Sequence, residues 1–230
     1  MKIRVITLLA LVMAGVVKIN AQMGEIGRFR TSIEFGYSYR FGEVSDNLPN
    51  DVKEYAKDLK NGTTLYISAG YFIQETWGLG AYFSRFSSDN SGRITSPTDS
   101  NAKVDTRDDI NITFIAPQFL YRSLSANNKH SLLSTFSIGY LGYKDDGIVG
   151  GNSLEITGGT VGIGVGLNYD FHITPSFAIG AGANFIAGSV SKLKVSVNGQ
   201  SQTLEVEEFS GEDRENLSRI NLSAGIRFYL

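Results

Sequence analysis

The stretch Ile220-Asn221-Leu222-Ser223-Ala224-Gly225-Ile226-Arg227-Phe228-Tyr229-Leu230 alternates without a break. In an extended strand successive side chains point to opposite faces, so Ile220, Leu222, Ala224, Ile226, Phe228 and Leu230 share one side, and Asn221, Ser223, Gly225, Arg227 and Tyr229 the other. The first side is continuously apolar. The second is polar or small and carries a cation. Hydrocarbon against the one and a polar barrel interior against the other satisfy both, and the length matches the about 9–11 residues of a tilted membrane-spanning strand.

Upstream, the same alternation recurs seven times. A strand over about 29–41 turns Phe29, Thr31, Ile33, Phe35, Tyr37, Tyr39 and Phe41 outward, with Arg30, Ser32, Glu34, Gly36, Ser38 and Arg40 inward. Strands follow at about 64–73, from Trp77, at about 110–122, 131–143 and 155–171, and from Phe177. In the fourth, Ile110, Ile112, Phe114 and Ala116 are expected outward, with a bulge or strand end at Pro117, which cannot donate to the ladder. Short turns near 74–76, 123–129 and 172–175 alternate with long polar loops near 42–62, 87–109, 144–153 and 189–219.

Within the first loop, Val52, Tyr55, Ala56 and Leu59 have helical spacing, which predicts a short helix over Asp51–Leu59 above the barrel mouth. Within the last, Asn198-Gly199 between two alternating runs predicts a hairpin, expected to stand on the seventh and eighth strands. The fold class that results is all-β: an eight-stranded antiparallel transmembrane up-and-down barrel with short periplasmic turns and longer extracellular loops. Aromatic residues near strand ends, among them Tyr39, Phe41, Trp77, Tyr143, Tyr169, Phe171 and Phe228, are candidates for two interfacial girdles.

Lys2 and Arg4 precede an apolar run from Val5 to Val17, the pattern of a secretory signal peptide with cleavage expected after Ala21. The expected organisation is therefore a signal peptide over 1–21 and one barrel domain over 22–230, a normal size for a single barrel. The 230-residue chain has a net charge of −2; without Lys2, Arg4 and Lys18, 18 basic residues face 23 acidic ones, a net −5 that argues against nucleic acid as a partner. The chain has no cysteine, which excludes disulfides, thiolate catalysis and cysteine metal sites. After Val17 no apolar run approaches the roughly 18 residues of a spanning helix, so membrane insertion requires a closed barrel.

The closing Ser223-Ala224-Gly225-Ile226-Arg227-Phe228-Tyr229-Leu230 resembles the C-terminal assembly signal of outer-membrane barrels, with Leu230 where that signal ends in Phe. The whole of 22–230 is similar to the small eight-stranded outer-membrane β-barrel (porin-like) family, which includes outer membrane protein X and the membrane half of outer membrane protein A. The resemblance implies residence in the outer membrane of a Gram-negative cell and contact with its lipid and lipopolysaccharide. It also implies delivery to the barrel assembly machinery through the last strand, and a monomer. The family's functions are diverse, so activity does not follow from the fold.

An eight-stranded barrel is just wide enough for side chains to fill its interior. The expected lumen charges are Arg30, Glu34 and Arg40 on the first strand, Asp170 on the sixth and Arg227 on the last, with Glu34 between Arg30 and Arg227. Buried charges must be paired, so an ion-pair network that plugs the lumen is expected over an ion pathway or ligand site. His130 and His172 fall beside periplasmic turns, remote from outer-leaflet lipid, and are expected as exposed turn residues; no catalytic residue is assigned. Asp89, Asp99, Asp105, Asp108, Asp109, Asp145 and Asp146 lack the spacing of a calcium loop and are expected to be solvated. The glycines of Gly162-x-Gly164-x-Gly166 fit a crowded strand better than a phosphate loop. No cofactor or metal is assigned. The functions compatible with this reading are a structural or adhesive surface barrel, a narrow porin-like conduit, an outer-leaflet lipid-modifying enzyme and a soluble lipocalin-like carrier, the last requiring apolar residues to face inward.

Overall fold

The computed structural model describes residues 25–42, 44–45, 47–96, 101–205 and 215–230. The expected export segment over 1–21, together with Pro97 and Asp99, lies outside the described residues. In chain order the elements are β1 (Phe29–Arg40), α1 (Asn50–Asp58), β2 (Asn61–Phe72), β3 (Trp77–Thr95), β4 (Lys103–Leu124), β5 (His130–Val149), β6 (Asn152–Thr174), β7 (Phe177–Ala187), β8 (Ser189–Val190), β9 (Lys192–Val197), β10 (Gln200–Glu205), β11 (Glu215–Asn216) and β12 (Arg219–Tyr229). Strands β1 to β7 and β12 form a ring of antiparallel neighbours. It closes where β12 pairs with β7 on one side and with β1 on the other, from Arg30↔Tyr229 to Arg40↔Arg219.

The alternation of the last strand behaves as its sequence demands. Ile220, Leu222, Ile226 and Phe228 are exposed on the outer surface, and Arg219, Asn221, Ser223, Arg227 and Tyr229 are buried in the lumen. The outer face continues around the ring through Ile33, Phe35, Ile67, Leu79, Ile138, Val165, Leu167 and Ile179. So large an exposed apolar surface is stable only against hydrocarbon. Gly225 is required on the inner face, because a Cβ there would collide with the Ile33 carbonyl oxygen of β1 at the closing seam.

β4 departs from expectation. Ile110, Ile112, Phe114 and Ala116 are buried inside, while Ile115, Phe119 and Tyr121 lie outside. The register with β3 explains the inversion. Directly opposed residues of paired strands share a face, and Trp77↔Tyr121, Leu79↔Phe119, Ala81↔Pro117 and Phe83↔Ile115 tie the odd-numbered residues of β4 to the lipid face of β3. Nor does Pro117 end the strand or shift its register. The β5 ladder skips Ala116 and Pro117 and resumes at Gln118↔Ser137 in the register it had at Ile115↔Tyr140. Tyr143, expected in a girdle, is likewise buried on the inner side.

The wall has two heights. β1, β2, β7 and β12 contain 11–12 residues, whereas β3 to β6 contain 19–23. The extra residues come from the stretches expected as the second and third polar loops, which are hairpin extensions instead. Gly150 and Gly151 supply the positive φ values of the two-residue turn between β5 and β6. Asn198 and Gly199 do the same between β9 and β10, as their sequence predicts. That hairpin does not stand on the seventh and eighth strands. β9 pairs with the raised part of β6, from Leu154↔Val197 to Gly158↔Leu193, and widens the projecting sheet. At about 3.3 Å per residue the extensions add roughly 25–35 Å of strand beyond the ends of the shorter ones.

The lipid-facing assignment sets an asymmetry that mutation reads directly. Ala224→Arg, at the middle of the outer face of β12, is expected to cost about 2–4 kcal/mol in urea titrations of folding into lipid vesicles. Ile148→Arg, equally outward but on the raised hairpin, is expected to stay within about 0.5 kcal/mol of the parent.

Candidate functional site

Two features of the fold hold chemistry: the filled lumen and the sheet raised above it. In the lumen, alternate residues of β1, β6 and β12 converge. Arg30 Nε and Nη2 reach Asp170 Oδ2, each at 3.1 Å. Arg227 approaches the other oxygen of Asp170 with Nε at 2.9 Å, and Glu34 Oε2 with Nη2 at 2.9 Å. Arg227 Nη1 donates to the Gly180 carbonyl at 2.7 Å. The Ser223 hydroxyl donates to Glu34 at 2.8 Å, and the Tyr229 hydroxyl to Asp170. Arg30, Glu34, Asp170 and Arg227 are 3%, 5%, 0% and 0% exposed. Two cations and two carboxylates therefore form a compact neutral quartet sealed from solvent.

The carboxylate between Arg30 and Arg227 is thus Asp170 and not Glu34, which serves Arg227 alone. Strand spacing brings Asp170 to the right face, but its central place depends on the closing register of β12 between β7 and β1. Gly180 helps by leaving room, since a Cβ there would strike the Tyr169 carbonyl oxygen and lie 3.1 Å from Arg227 Cζ. Arg40, the remaining expected lumen charge, stands apart from the quartet and pairs with Glu215 of β11.

Further lumen residues emerge from the structure. Arg122 is buried at the short-turn end, stacked 4.0 Å over the Phe72 ring, and donates to the carbonyls of Glu75 and Gly27 at 3.2 Å each. The alternation of β4 would have revealed it had the faces been assigned from Tyr121 backwards. His172 is not an exposed turn residue: it is 1% exposed, packs against the Tyr229 ring at 4.7 Å and contacts Ser131 Oγ at 3.2 Å. A register shift between His172 and Thr174 accompanies it. His130 stays on the outer side, where Nδ1 meets the Tyr169 hydroxyl at 2.6 Å.

Towards the long-loop end the lumen becomes apolar. Leu59, Tyr66, Tyr82, Phe86, Ile112, Phe114 and Leu141 belong to one buried cluster. Tyr82 stands edge-on to Phe114 at 5.8 Å and stacks with Tyr66 at 6.0 Å. Between this cluster and the quartet lies a cavity of about 10 Å³, bordered by Glu34, Tyr66, Tyr82 and Asn184 among others. That is room for roughly one water.

The raised sheet is braced by α1. Tyr55 donates to Asp108 Oδ2 at 2.7 Å and to the Asn90 carbonyl at 3.0 Å. Asp51 accepts from Thr95 N and Lys103 Nζ, each at 2.6 Å, and the hydrogen bond from Lys103 is the main reason its carboxyl is pulled down to about 2. Asp145 is buried on the inner side of β5, with the Tyr143 hydroxyl 3.3 Å away; burial, and then the charge of Asp108, push its carboxyl up to about 6. The acidic residues on the outer side are drawn to neighbours, Asp146 to Lys144 at 2.7 Å and Asp105 to Arg93 at 3.9 Å. Among the described residues, no group of three or more His, Cys, Asp or Glu converges as metal ligands would.

No protein-family model matches the chain, and no curated protein does. Several solved structures share its architecture. A major outer membrane protein from Thermus thermophilus is 10% identical, with a TM-score of 0.56 over 87% of this chain and 98% of that one. The outer membrane protein OprG from Pseudomonas aeruginosa is 11% identical, with a TM-score of 0.52 over 92% and 100%. Neisserial surface protein A is 16% identical, with a TM-score of 0.49 over 88% and 97%. At such identities the likeness to the first two is one of fold: the chain is a transmembrane barrel of the kind found in outer membranes.

The quartet and the raised sheet each generate a measurement. Asp170→Asn strips Arg30 and Arg227 of their shared anion and is expected to cost about 3–5 kcal/mol in vesicle-folding titrations, with a smaller loss for Glu34→Gln because Arg227 keeps Asp170. For Asp145 the folded value of about 6 lies above the unfolded carboxylate value near 3.8, so the folded chain holds that proton more tightly. Its contribution to stability therefore grows as pH falls from about 6 towards 4 and is lost as pH rises back through 6. Amide protection of the raised hairpins, measured relative to the intrinsic exchange rate at each pH, is expected to rise over that window in the parent and to be level there in Asp145→Asn.

Proposed function

We propose that this chain is a surface-interaction barrel of the Gram-negative outer membrane, structural or adhesive in character, whose contact surface is the raised sheet. The observation that carries the reading is the second storey itself. β3 to β6 continue far beyond the residues needed to cross lipid, and β9 and β10 extend the same sheet sideways. A barrel that only had to sit in lipid has no need of that height. β10 ends the sheet with β9 as its one partner among the described residues, so one row of its backbone donors and acceptors is open to an added strand.

In this reading residues 1–21 direct export, the last strand engages the barrel assembly machinery, and the outer belt meets lipid and lipopolysaccharide in a monomer. The filled lumen supports a surface role over a conduit: the quartet and the apolar cluster occupy successive levels, and the cavity between them holds roughly one water. It also disfavours catalysis, since His172 and Ser131 meet inside the barrel, remote from lipid on the outer surface.

Cells displaying the full chain are expected to attach to one another or to a coated surface more than cells lacking it. Replacing 192–205 by a short turn is expected to abolish that gain while leaving heat-modifiable gel migration, the sign of a folded barrel, intact. Purified protein is expected to give no steps in planar-bilayer recordings. Discrete conductance together with unchanged attachment would favour the conduit instead.

A further inference from the structure

The lipid-facing wall carries an open groove of about 300 Å³ across β6, β7 and β12, with Val165, Leu167, Ala183, Phe185 and Ile220 in its lining. The register explains the relief. Val165, Phe185 and Ile220 form one outward rung across the three strands, and Leu167, Ala183 and Leu222 form the next. On that second rung a single methyl group stands between two exposed leucines, so the wall steps inward there. Depth decides what fills the step. β12 starts at the long-loop rim with Arg219 and ends at the short-turn rim with Tyr229, which puts Ile220 and Leu222 in the half of the apolar belt next to the long loops. Inside hydrocarbon the occupant of an apolar groove is an acyl chain. At roughly 30 Å³ apiece, the share of one water in the liquid, the groove takes about ten methylene-sized groups.

A separate observation lies above the groove. On β6 the apolar outward residues end at Val161, and Gly159 and Thr157 follow. There β9 replaces β7 as the neighbour of β6, with Lys194 opposite Thr157 and Lys192 one outward position lower. Opposed residues share a face, so both lysines point outward, and both are exposed. Lys144 joins the same row through its own pairing with Thr157, but it is held by Asp146 at 2.7 Å and Glu155 at 3.3 Å. At about 3.3 Å per residue and a tilt of about 40°, Lys192 and Lys194 stand roughly 15–20 Å above the groove, about one leaflet's thickness. The wall thus offers hydrocarbon contact at chain depth and positive charge at headgroup level.

We propose that the groove and the two lysines form one site for a single lipopolysaccharide molecule: an acyl chain of its lipid anchor packs over Ala183 between Leu167 and Leu222, while an anchor phosphate sits against Lys192 and Lys194. The inference rests on the outer-membrane reading above, in which this half of the belt meets the outer leaflet, and goes past general lipid contact to one retained molecule. Apolar surfaces in hydrocarbon gain nothing from leaving water, so a chain stays only where it packs better than on a flat wall. The lysines select an anionic headgroup.

The test places the full folded barrel in detergent micelles containing equal amounts of lipid A and phosphatidylglycerol, and counts the lipid kept per protein by native mass spectrometry. One lipid A per barrel is expected for the parent. Ala183→Phe fills the groove while keeping the outer face apolar, and is expected to lower retention about tenfold. Lys192→Gln combined with Lys194→Gln is expected to lower it roughly tenfold or more, since each cation near the headgroups contributes about fivefold. Retention unchanged in either variant, or phosphatidylglycerol kept as well as lipid A, would overturn the proposal. If Ala183→Phe does not fold, the lysine pair, which stands outside the apolar belt, still decides. A parent chain that shows no heat-modifiable migration in detergent would instead overturn the membrane reading beneath the proposal.

Discussion

The structure depends on one constraint: inside hydrocarbon, every backbone N–H and C=O must find its partner within the chain. A strand cannot meet that need alone, and an open sheet fails at two edges. Closure of β12 on β1 removes both edges at the level where lipid touches the wall. Much else follows. The even strand number brings the ends of the described barrel to the same rim, and the outward alternation becomes compulsory, since a slip of one residue would turn every apolar side chain of a strand inward. Gly225 sits at the seam because closure brings backbones close enough to exclude a side chain.

Above the lipid the constraint lapses, and the architecture changes there. Water can satisfy an unpaired strand edge, so β3 to β6 leave the shorter strands behind and accept β9 and β10 at one side. The outer faces change with it: Arg85 donates to Asn111 across β3 and β4 where the apolar belt gives way to polar residues. The same four strands serve two solvents along their length. The raised part also needs its own support, and α1 provides it through Tyr55 and Asp51, with the buried Leu59 just past its end.

Most of the ring was legible in the sequence, because a period of two sustained over about ten residues fits an extended strand and does not fit a helix. β1, β6, β7 and β12 carry polar or small residues on one face and apolar ones on the other, so their inward and outward sets could be read directly. β4 could not. From Ile110 to Tyr121 both of its faces are largely apolar, and alternation alone does not say which one meets lipid; the register with β3 decides, and register is a long-range property. The hairpin extensions were obscured for a related reason. In water a strand needs no greasy face, so the segments over 87–95, 103–109 and 144–153 read as loops although they are ladders. At the lumen site, the side of each strand was readable but the depth was not. Arg30, Glu34, Asp170 and Arg227 were expected inside, yet only three-dimensional closure shows that Asp170 is the bridge, that Arg40 belongs to Glu215, and that Arg122 and Arg219 are lumen residues too.

The levels of the lumen bear on what the raised sheet can do. A sheet projecting tens of ångströms from a membrane transmits any pull on its edge to its base, and a hollow base would deform. Here the base is solid: Arg122 at the short-turn end, the quartet above it, then aromatic and aliphatic packing up to Leu59 beneath α1. Charge pairing gives the lower levels directional contacts that resist rotation of one strand against another, while close packing gives the upper level resistance to compression. Filling the barrel costs it any wide pathway. In exchange it gains a stiff footing that holds the backbone groups of the β9–β10 hairpin in a defined position, which lowers the ordering cost that an added strand would otherwise impose.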